Sequence, residues 1–318
     1  MAYSSDQQVN TGFSNNPSAE ANRLSNKDGS YNVRYKGVTF WERHSLLHTL
    51  LEMSNFRFLL LVMGYYLFVN VLFAGLYVWI GTDQLGGNDT GPDGLPAFLQ
   101  AFFFSAQTIT TVGYGHVHPI GVLANMAAAL ESFIGILTFA VVTGVVYARF
   151  SRPKAFLRFS DQALVSPFRG GTALMFRLSG FKNNSLTEVN ARVVVSLHVD
   201  EPGGESTRFF NLPLDIDNIS SLTTSWTIVH PIDEHSPIHG LDREELIRRK
   251  AEFLVRISAI DEHLSYTVQQ KTSYLGSEII FGASFEPMVS RSEDGQYSVI
   301  QLDKLNKFRI YQDNSFKR

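Results

Sequence analysis

The chain contains no cysteine. Disulfides, thiolate nucleophiles, iron–sulfur clusters, cysteine-ligated zinc and any step that depends on thiol oxidation are therefore excluded. An excess of positive charge is missing too. There are 27 Lys and Arg against 30 Asp and Glu, a formal net charge of −3, which argues against a general nucleic-acid binder. The most informative absence is local. Between Phe58 and Ala148 lie 91 residues without one Lys or Arg, and with only four acids, Asp83, Asp89, Asp93 and Glu131. All 27 basic side chains and 26 of the 30 acids fall in the other 227 residues. Two materials share one chain, and they read as a membrane module joined to a water-soluble one.

Phe58 to Ile80 is 23 residues without a charge, and Pro119 to Ala148 is 30 residues with one, Glu131. About 20 apolar residues at 1.5 Å rise each cross the hydrocarbon, so both segments are long enough to span. Between them, LPAFLQAFFFSAQTI (Leu95 to Ile109) is apolar and helical in pattern but too short, with Pro96 suited to a first turn. A short apolar segment between two spans reads as a re-entrant helix. Arg43 and Arg57 precede the first span, and Arg149, Arg152, Lys154 and Arg158 follow the second, while the connection has none. The positive-inside rule then places both termini in the cytoplasm of a multi-pass protein of the cell membrane.

The short helix leads directly into Thr110-Thr111-Val112-Gly113-Tyr114-Gly115. Irregular backbone is tolerated at membrane depth only where it lines a cavity. Gly113 and Gly115 permit positive φ, so successive carbonyls can face one axis, and the preceding helix aims its negative end at the same place. TVGYG is the known sequence of potassium filters, in which four loops replace the water around K+. Thr111, Val112, Gly113, Tyr114 and Gly115 are read as the selectivity filter. One loop per chain implies a homotetramer.

Four stretches carry a wider resemblance, covering roughly residues 35 to 312. They are AFFFSAQTITTVGYGHVHP, TGVVYARFSRPKAFLRFS, WTIVHPIDEHSPIHGL and KTSYLGSEIIFGASFEP. On these the chain resembles the inward-rectifier potassium channel family, especially its prokaryotic branch. The resemblance implies a membrane α-helical pore of two transmembrane helices plus a re-entrant pore helix, with a cytoplasmic all-β immunoglobulin-like sandwich. Short β runs separated by GG, NN, PGG and EDG turns agree with the sandwich. The expected organisation is a disordered cytoplasmic N-terminus over 1–35 and an amphipathic slide helix over 36–55. A pore module follows over 56–150, with outer helix 56–80, pore helix and filter 95–115 and inner helix 119–150. The β-sandwich regulatory domain takes 151–318.

Site expectations follow residue by residue. Glu131 is the one charge of the inner helix. A carboxylate in a span is costly and functional by default, and it is expected to hydrogen-bond behind the filter, to Gln107 or near Thr110. In many family members an acid holds the position of Gln107. The alternative is a glutamate tolerated in a subunit gap. Phe139 stands where strong rectifiers carry a cavity acid, so block by Mg2+ and polyamines is expected to be weak. Tyr147 matches the aromatic gate at the inner-helix crossing, packing being its alternative. Gly135 and Gly144 are hinge candidates, with close packing equally open. Arg149, Arg152 and Lys154 are the expected site for anionic phospholipids or phosphoinositides, or else a plain topology signal. Inhibition by phosphoinositide suits the prokaryotic look. A second constriction is expected near His263 to Tyr266, and His116 and His118 flank the outer mouth. No cofactor is expected, K+ being the permeant ion and Ba2+ a pore blocker. His44 and His48 lack a third ligand, so no metal site is expected. The functional reading is a passive potassium channel gated at the inner-helix crossing and modulated by lipid. Its alternatives are a membrane-tethered receptor or scaffold with a non-conducting pore and, with no nucleophile–base set or phosphate loop in support, an enzyme carried by the β domain.

Overall fold

The computed structural model describes residues 23–33, 36–37, 45–87, 96–151, 155–182, 185–201 and 204–311. Arg152, Lys154, residues 1–22 of the expected disordered terminus and residues 38–44 of the expected slide helix lie outside these. The chain divides into two compact units, Lys36–Arg152 and Met1–Tyr35 with Pro153–Arg318.

In the first unit, α1 (Leu46–Glu52) is capped by Ser45, whose hydroxyl accepts the His48 N–H. Residues 36–37 are not helical. Met53 is extended, and Ser54 caps the next helix by accepting the Arg57 N–H. That pair of caps separates α1 from α2 (Asn55–Ile80). Gly81, at φ 115, ends α2. β1 (Leu85–Gly86) then pairs with β2 (His118–Pro119), a small antiparallel ladder that the sequence pattern had not signalled. Between them runs α3 (Ala97–Ile109), and after them α4 (Val122–Phe150). α2 and α4 are long and apolar enough to cross a membrane, by length and composition. Each buries only a stripe: Val69, Phe73, Ala74 and Tyr77 on α2, and Ala124, Ala127, Glu131 and Gly135 on α4. The spacings of three and four keep each set on one face. Large apolar residues such as Leu60, Phe68, Leu72, Phe133 and Leu137 stay exposed on the remaining faces, as on a helix whose outer solvent is lipid.

In the second unit the strands run in order as β3 (Leu157–Phe159), β4 (Ala163–Phe168), β5 (Gly171–Gly180), β6 (Leu186–Glu201), β7 (Gly204–Leu212), β8 (Asn218–Ser221) and β9 (Ser225–Ile232). The short helix α5 (Arg243–Arg248) precedes β10 (Glu252–Asp261), β11 (Tyr266–Leu275), β12 (Ile279–Phe281), β13 (Ala283–Phe285), β14 (Val289–Arg291), β15 (Ser298–Ile300) and β16 (Phe308–Ile310). One five-stranded sheet is ordered β11-β10-β6-β7 with β8 on β6, the other β12-β4-β5-β3 with β9 on β5. Ladders are antiparallel except β12 with β4. Alternate residues face the core: Ala191, Val193, Val195 and Leu197 from β6, Phe253, Val255, Ile257 and Ala259 from β10, Leu174, Phe176 and Leu178 from β5. This period of two is what a two-sheet sandwich requires.

Disorder through residue 35 does not hold for 23–33, which pack on the β unit. Arg23 donates to the Ser273 carbonyl at 2.8 Å and pairs with Glu278 at 2.9 Å. The Glu252 carboxylate accepts the N–H groups of Leu24 at 2.6 Å and Ser25 at 3.0 Å. The segment has no apolar periodicity, and charge-assisted hydrogen bonds order it instead.

Candidate functional site

The last turn of α3 builds the loop that follows it. Thr108 and Thr110 return their hydroxyls to the carbonyls of Phe104 (2.8 Å) and Ala106 (2.7 Å). The Gln107 carbonyl, otherwise orphaned at a helix end, accepts the N–H groups of Val112 at 3.0 Å and Gly113 at 3.3 Å. The loop is thereby folded back over the helix terminus. Thr111 (φ 59), Gly113 (φ 53) and Gly115 (φ 80) are left-handed, and Val112 and Tyr114 between them are not. Such alternation turns successive peptide planes so that their carbonyls can face one side. At Gly113 and Gly115 no neighbouring atom lies within 4 Å of where a Cβ would stand. Within the chain itself, backbone conformation rather than crowding requires glycine there. Thr111 is β-branched and left-handed, a strained state costing on the order of 1–3 kcal/mol.

Behind the loop lies a buried polar network that joins all three helices. Glu131 of α4 is 0% exposed. It accepts the Tyr77 hydroxyl of α2 at 2.7 Å and is bonded by the Ser105 hydroxyl of α3. Ser105 also reaches Asn70 Oδ1 at 3.0 Å, and Asn70 is oriented by donating to the Tyr66 carbonyl at 2.7 Å. The expected partners of Glu131, Gln107 and the Thr110 region, are thus replaced by Ser105 and Tyr77. The reason is helical geometry: residues 105 and 107 are two apart, about 200° around the helix. Ser105 therefore faces the helix pair while Gln107 supports the loop through its carbonyl. Asn70 and Ser105 were missed in the sequence. Each is a polar residue inside an apolar segment, and Asn70 and Tyr77, seven apart, share a helix face.

Gly135 is the close-approach point of α4 and α3. A Cβ there would lie 2.2 Å from the Ile109 carbonyl oxygen, so packing replaces the hinge reading at this position. Around Gly144 nothing lies within 4 Å. Phe139 and Tyr147 are 76% and 70% exposed on α4. They are separated by about 12 Å of rise and 80° of rotation.

Arg149 takes a role the sequence did not reveal. Its guanidinium donates to the carbonyls of Leu50 (2.5 Å) and Met53 (2.7 Å) and to Asn55 Oδ1 (2.6 Å), and stacks over Phe58 at 4.8 Å. It ties the end of α4 to the α1–α2 elbow. Of the three basic residues expected to hold lipid, this one is engaged by protein carbonyls orphaned at the end of α1.

In the β unit, His230 is buried, with Nδ1 2.6 Å from the Pro213 carbonyl and Nε2 2.8 Å from Ser236 Oγ. Burial lowers its pKa from the ordinary 6.5. Both contacts satisfy a neutral ring that donates from Nδ1 and accepts at Nε2, a structural arrangement. His263 to Tyr266 cap the β10–β11 hairpin, where Asp261 accepts the N–H groups of His263 and Leu264. No group of three or more His, Asp or Glu suited to a metal occurs among the described residues.

Two family models match the chain. Residues 157–314 match the inward rectifier potassium channel C-terminal domain, and residues 60–152 match an ion channel model. The chain is 36% identical to inward rectifier potassium channel Kirbac3.1 of Paramagnetospirillum magnetotacticum, over 88% of this chain and 94% of that one. It is 30% identical to inward rectifier potassium channel 4 of Homo sapiens, over 87% of this chain and 70% of that one. With G protein-activated inward rectifier potassium channel 2 of Pongo abelii the identity is 29%, over the same shares.

Proposed function

The chain belongs to the inward-rectifier potassium channel family, and we propose that four copies of it close one potassium-selective filter across a cell membrane. One observation carries this reading. A helix too short to span ends in a loop whose residues 111, 113 and 115 are left-handed, folded back on the Gln107 carbonyl. Four such loops around an axis offer rings of carbonyl oxygens that stand in for the hydration shell of K+. Conduction is passive, and the protein is a channel rather than an enzyme.

The remaining roles rest on this reading. Gln107 and Thr110 hold the loop to the pore helix, and Glu131 ties that helix to its two neighbours. The exposed ring of Phe139 faces the cavity and supplies no charge to attract Mg2+ or polyamines, so rectification by these blockers is weak. Tyr147 narrows the inner end, where four rings dewet the pore, and Gly144 gives α4 freedom beside it. With Arg149 engaged at the elbow, Arg152 and Lys154 carry the response to anionic phospholipids. Both termini are cytoplasmic, as the Lys and Arg distribution supports, and the β unit passes regulatory signals to the gate.

The test is ion uptake into liposomes containing the purified tetramer. Rubidium or K+ uptake that Ba2+ blocks and Na+ cannot replace is expected. A well-formed tetramer without flux would make the protein a membrane-tethered receptor or scaffold instead.

A further inference from the structure

The outer face of the β11-β10-β6-β7 sheet carries a rung of three cations. Register sets Arg256 of β10 directly opposite Arg192 of β6 on one side and Lys271 of β11 on the other. Directly opposed side chains in an antiparallel ladder have Cβ atoms about 5 Å apart, and like charges placed so repel. The rungs on either side offer no relief. They hold Val194, Leu254 and Ser273 in one direction and Asn190, Ser258 and Gln269 in the other. Lys271 is held by Tyr31, donating to its hydroxyl at 2.7 Å and lying 4.6 Å from its ring centre. The side chains of Arg192 and Arg256 have no hydrogen-bond or ion-pair partner among the described residues of the one chain. All three border a cavity of about 180 Å³, roofed by Ser25 and Tyr31 of the N-terminal segment and edged by Asn211. At roughly 30 Å³ per water this is room for about six waters.

The geometry points to an anion site. The Arg192–Arg256–Lys271 rung takes a soluble phosphoryl-bearing anion of diphosphate size, bridged by the two guanidinium forks and closed over by Tyr31. Arginine forks match phosphoryl oxygens two at a time, which an isolated ammonium cannot do. An anion seated there replaces mutual repulsion by attraction, and the roof ties the site to the N-terminal segment that Glu252 and Glu278 hold in place. This goes beyond the pore reading and is independent of it, because none of the residues belongs to the pore unit.

Calorimetric titration of pyrophosphate into the full-length tetramer in detergent tests it. Wild type is expected to bind saturably, with affinity falling as salt rises. Arg192→Gln and Arg256→Gln should each weaken binding at least tenfold, while Arg291→Gln on the β14 strand leaves it unchanged. An empty repulsive rung predicts that Arg256→Gln melts no lower than wild type without anion, which separates lost binding from lost fold. A lipid headgroup carries the same phosphoryl chemistry, so vesicles with and without phosphatidylinositol phosphate form a second arm. Absence of pyrophosphate binding, binding unchanged in both glutamine variants, or capture by the lipid vesicles alone would overturn the assignment. The readout is binding, so its failure leaves the channel reading standing, and a non-conducting tetramer leaves this site standing.

Discussion

Glu131 in the pore unit and Arg177 in the β unit are both buried without an opposite charge beside them, and the two units satisfy them differently. Glu131 is held by side chains, the hydroxyls of Tyr77 and Ser105 from two other helices. Arg177 is held by backbone: its fork donates to the carbonyls of Glu286 (2.6 Å), Lys304 (2.6 Å) and Leu305 (2.8 Å), and it stacks over Phe285 at 4.5 Å. Helices have already paired most of their interior carbonyls and amides, so Glu131 between them is met by side chains. The β unit ends in short strands and turns whose carbonyls at 286, 304 and 305 lie outside the sheet ladders, and an arginine fork collects all three at once. The pore unit therefore spends side-chain polarity on joining helices. The β unit spends it on pinning irregular chain. The loop after α3 is the exception among the described residues of the pore unit, because there we propose that irregular backbone carries the function.

That exception gives the largest expected effect. Gly113→Ala forces a Cβ into a left-handed position at a cost of about 1–2 kcal/mol in each subunit, with no crowding inside the subunit itself. Ba2+-sensitive rubidium uptake should fall to background while gel filtration still shows a tetramer. Uptake within twofold of wild type would mean the loop does not need its alternating hand. Next in size is Arg177→Met, which leaves three buried carbonyls without their charged donor. A loss of about 3 kcal/mol or more is expected in chemical denaturation. Trypsin should then cut faster at Lys304 and Lys307 than it does in wild type. Unchanged proteolysis would break the claim that this side chain pins the C-terminal segments.

Legibility in the sequence follows the same division. The spans and the short helix were readable because absence of charge is a local signal, and the left-handed glycines at 113 and 115 because a five-residue motif is another. The β runs were readable from alternation. What was hidden was partnership. Nothing in NVLFAGLY announces that Asn70 and Tyr77 meet Ser105 and Glu131 across three helices. Neither does ARF announce that Arg149 turns to Leu50 and Met53 rather than to lipid. Residues 23–33 were read as disordered because their order comes from Glu252 and Glu278, more than two hundred residues away in the chain. Long-range polar contacts leave no periodicity behind.

The Glu131 network sharpens the comparison at a smaller scale. Glu131→Gln keeps a group of the same shape that both accepts and donates, and should cost about 1 kcal/mol or less. Glu131→Leu strands the Tyr77 and Ser105 hydroxyls and should cost about 1–3 kcal/mol. Thermal dissociation of the tetramer, followed by gel electrophoresis, orders the three proteins. If the leucine variant matches wild type, the side-chain network does not join the helices, and packing at Gly135 is what holds α3 to α4.

The smallest effect lies in the β unit and has a sign that can be fixed in advance. Burial sets the His230 pKa in the folded protein below 6.5, and the Pro213 carbonyl and then the Asp233 charge offset this only in part. As pH falls through 6.5 the unfolded chain takes up a proton that the folded ring still refuses. Stability is therefore full above 6.5 and is lost as pH drops from there towards the folded pKa. For one group the slope is at most about 1.4 kcal/mol per pH unit. His230→Gln removes that term, since a glutamine does not titrate. Urea midpoints by circular dichroism at pH 7.5, 6.5 and 5.5 should decline more steeply in wild type than in the variant. Carboxylates that titrate lower contribute equally to both, so the difference between the two slopes isolates the histidine. Parallel slopes would mean that the folded ring takes a proton as readily as the unfolded one. The Pro213 carbonyl and the Asp233 charge would then offset burial in full rather than in part, and the contrast between the two units would narrow to Arg177 alone.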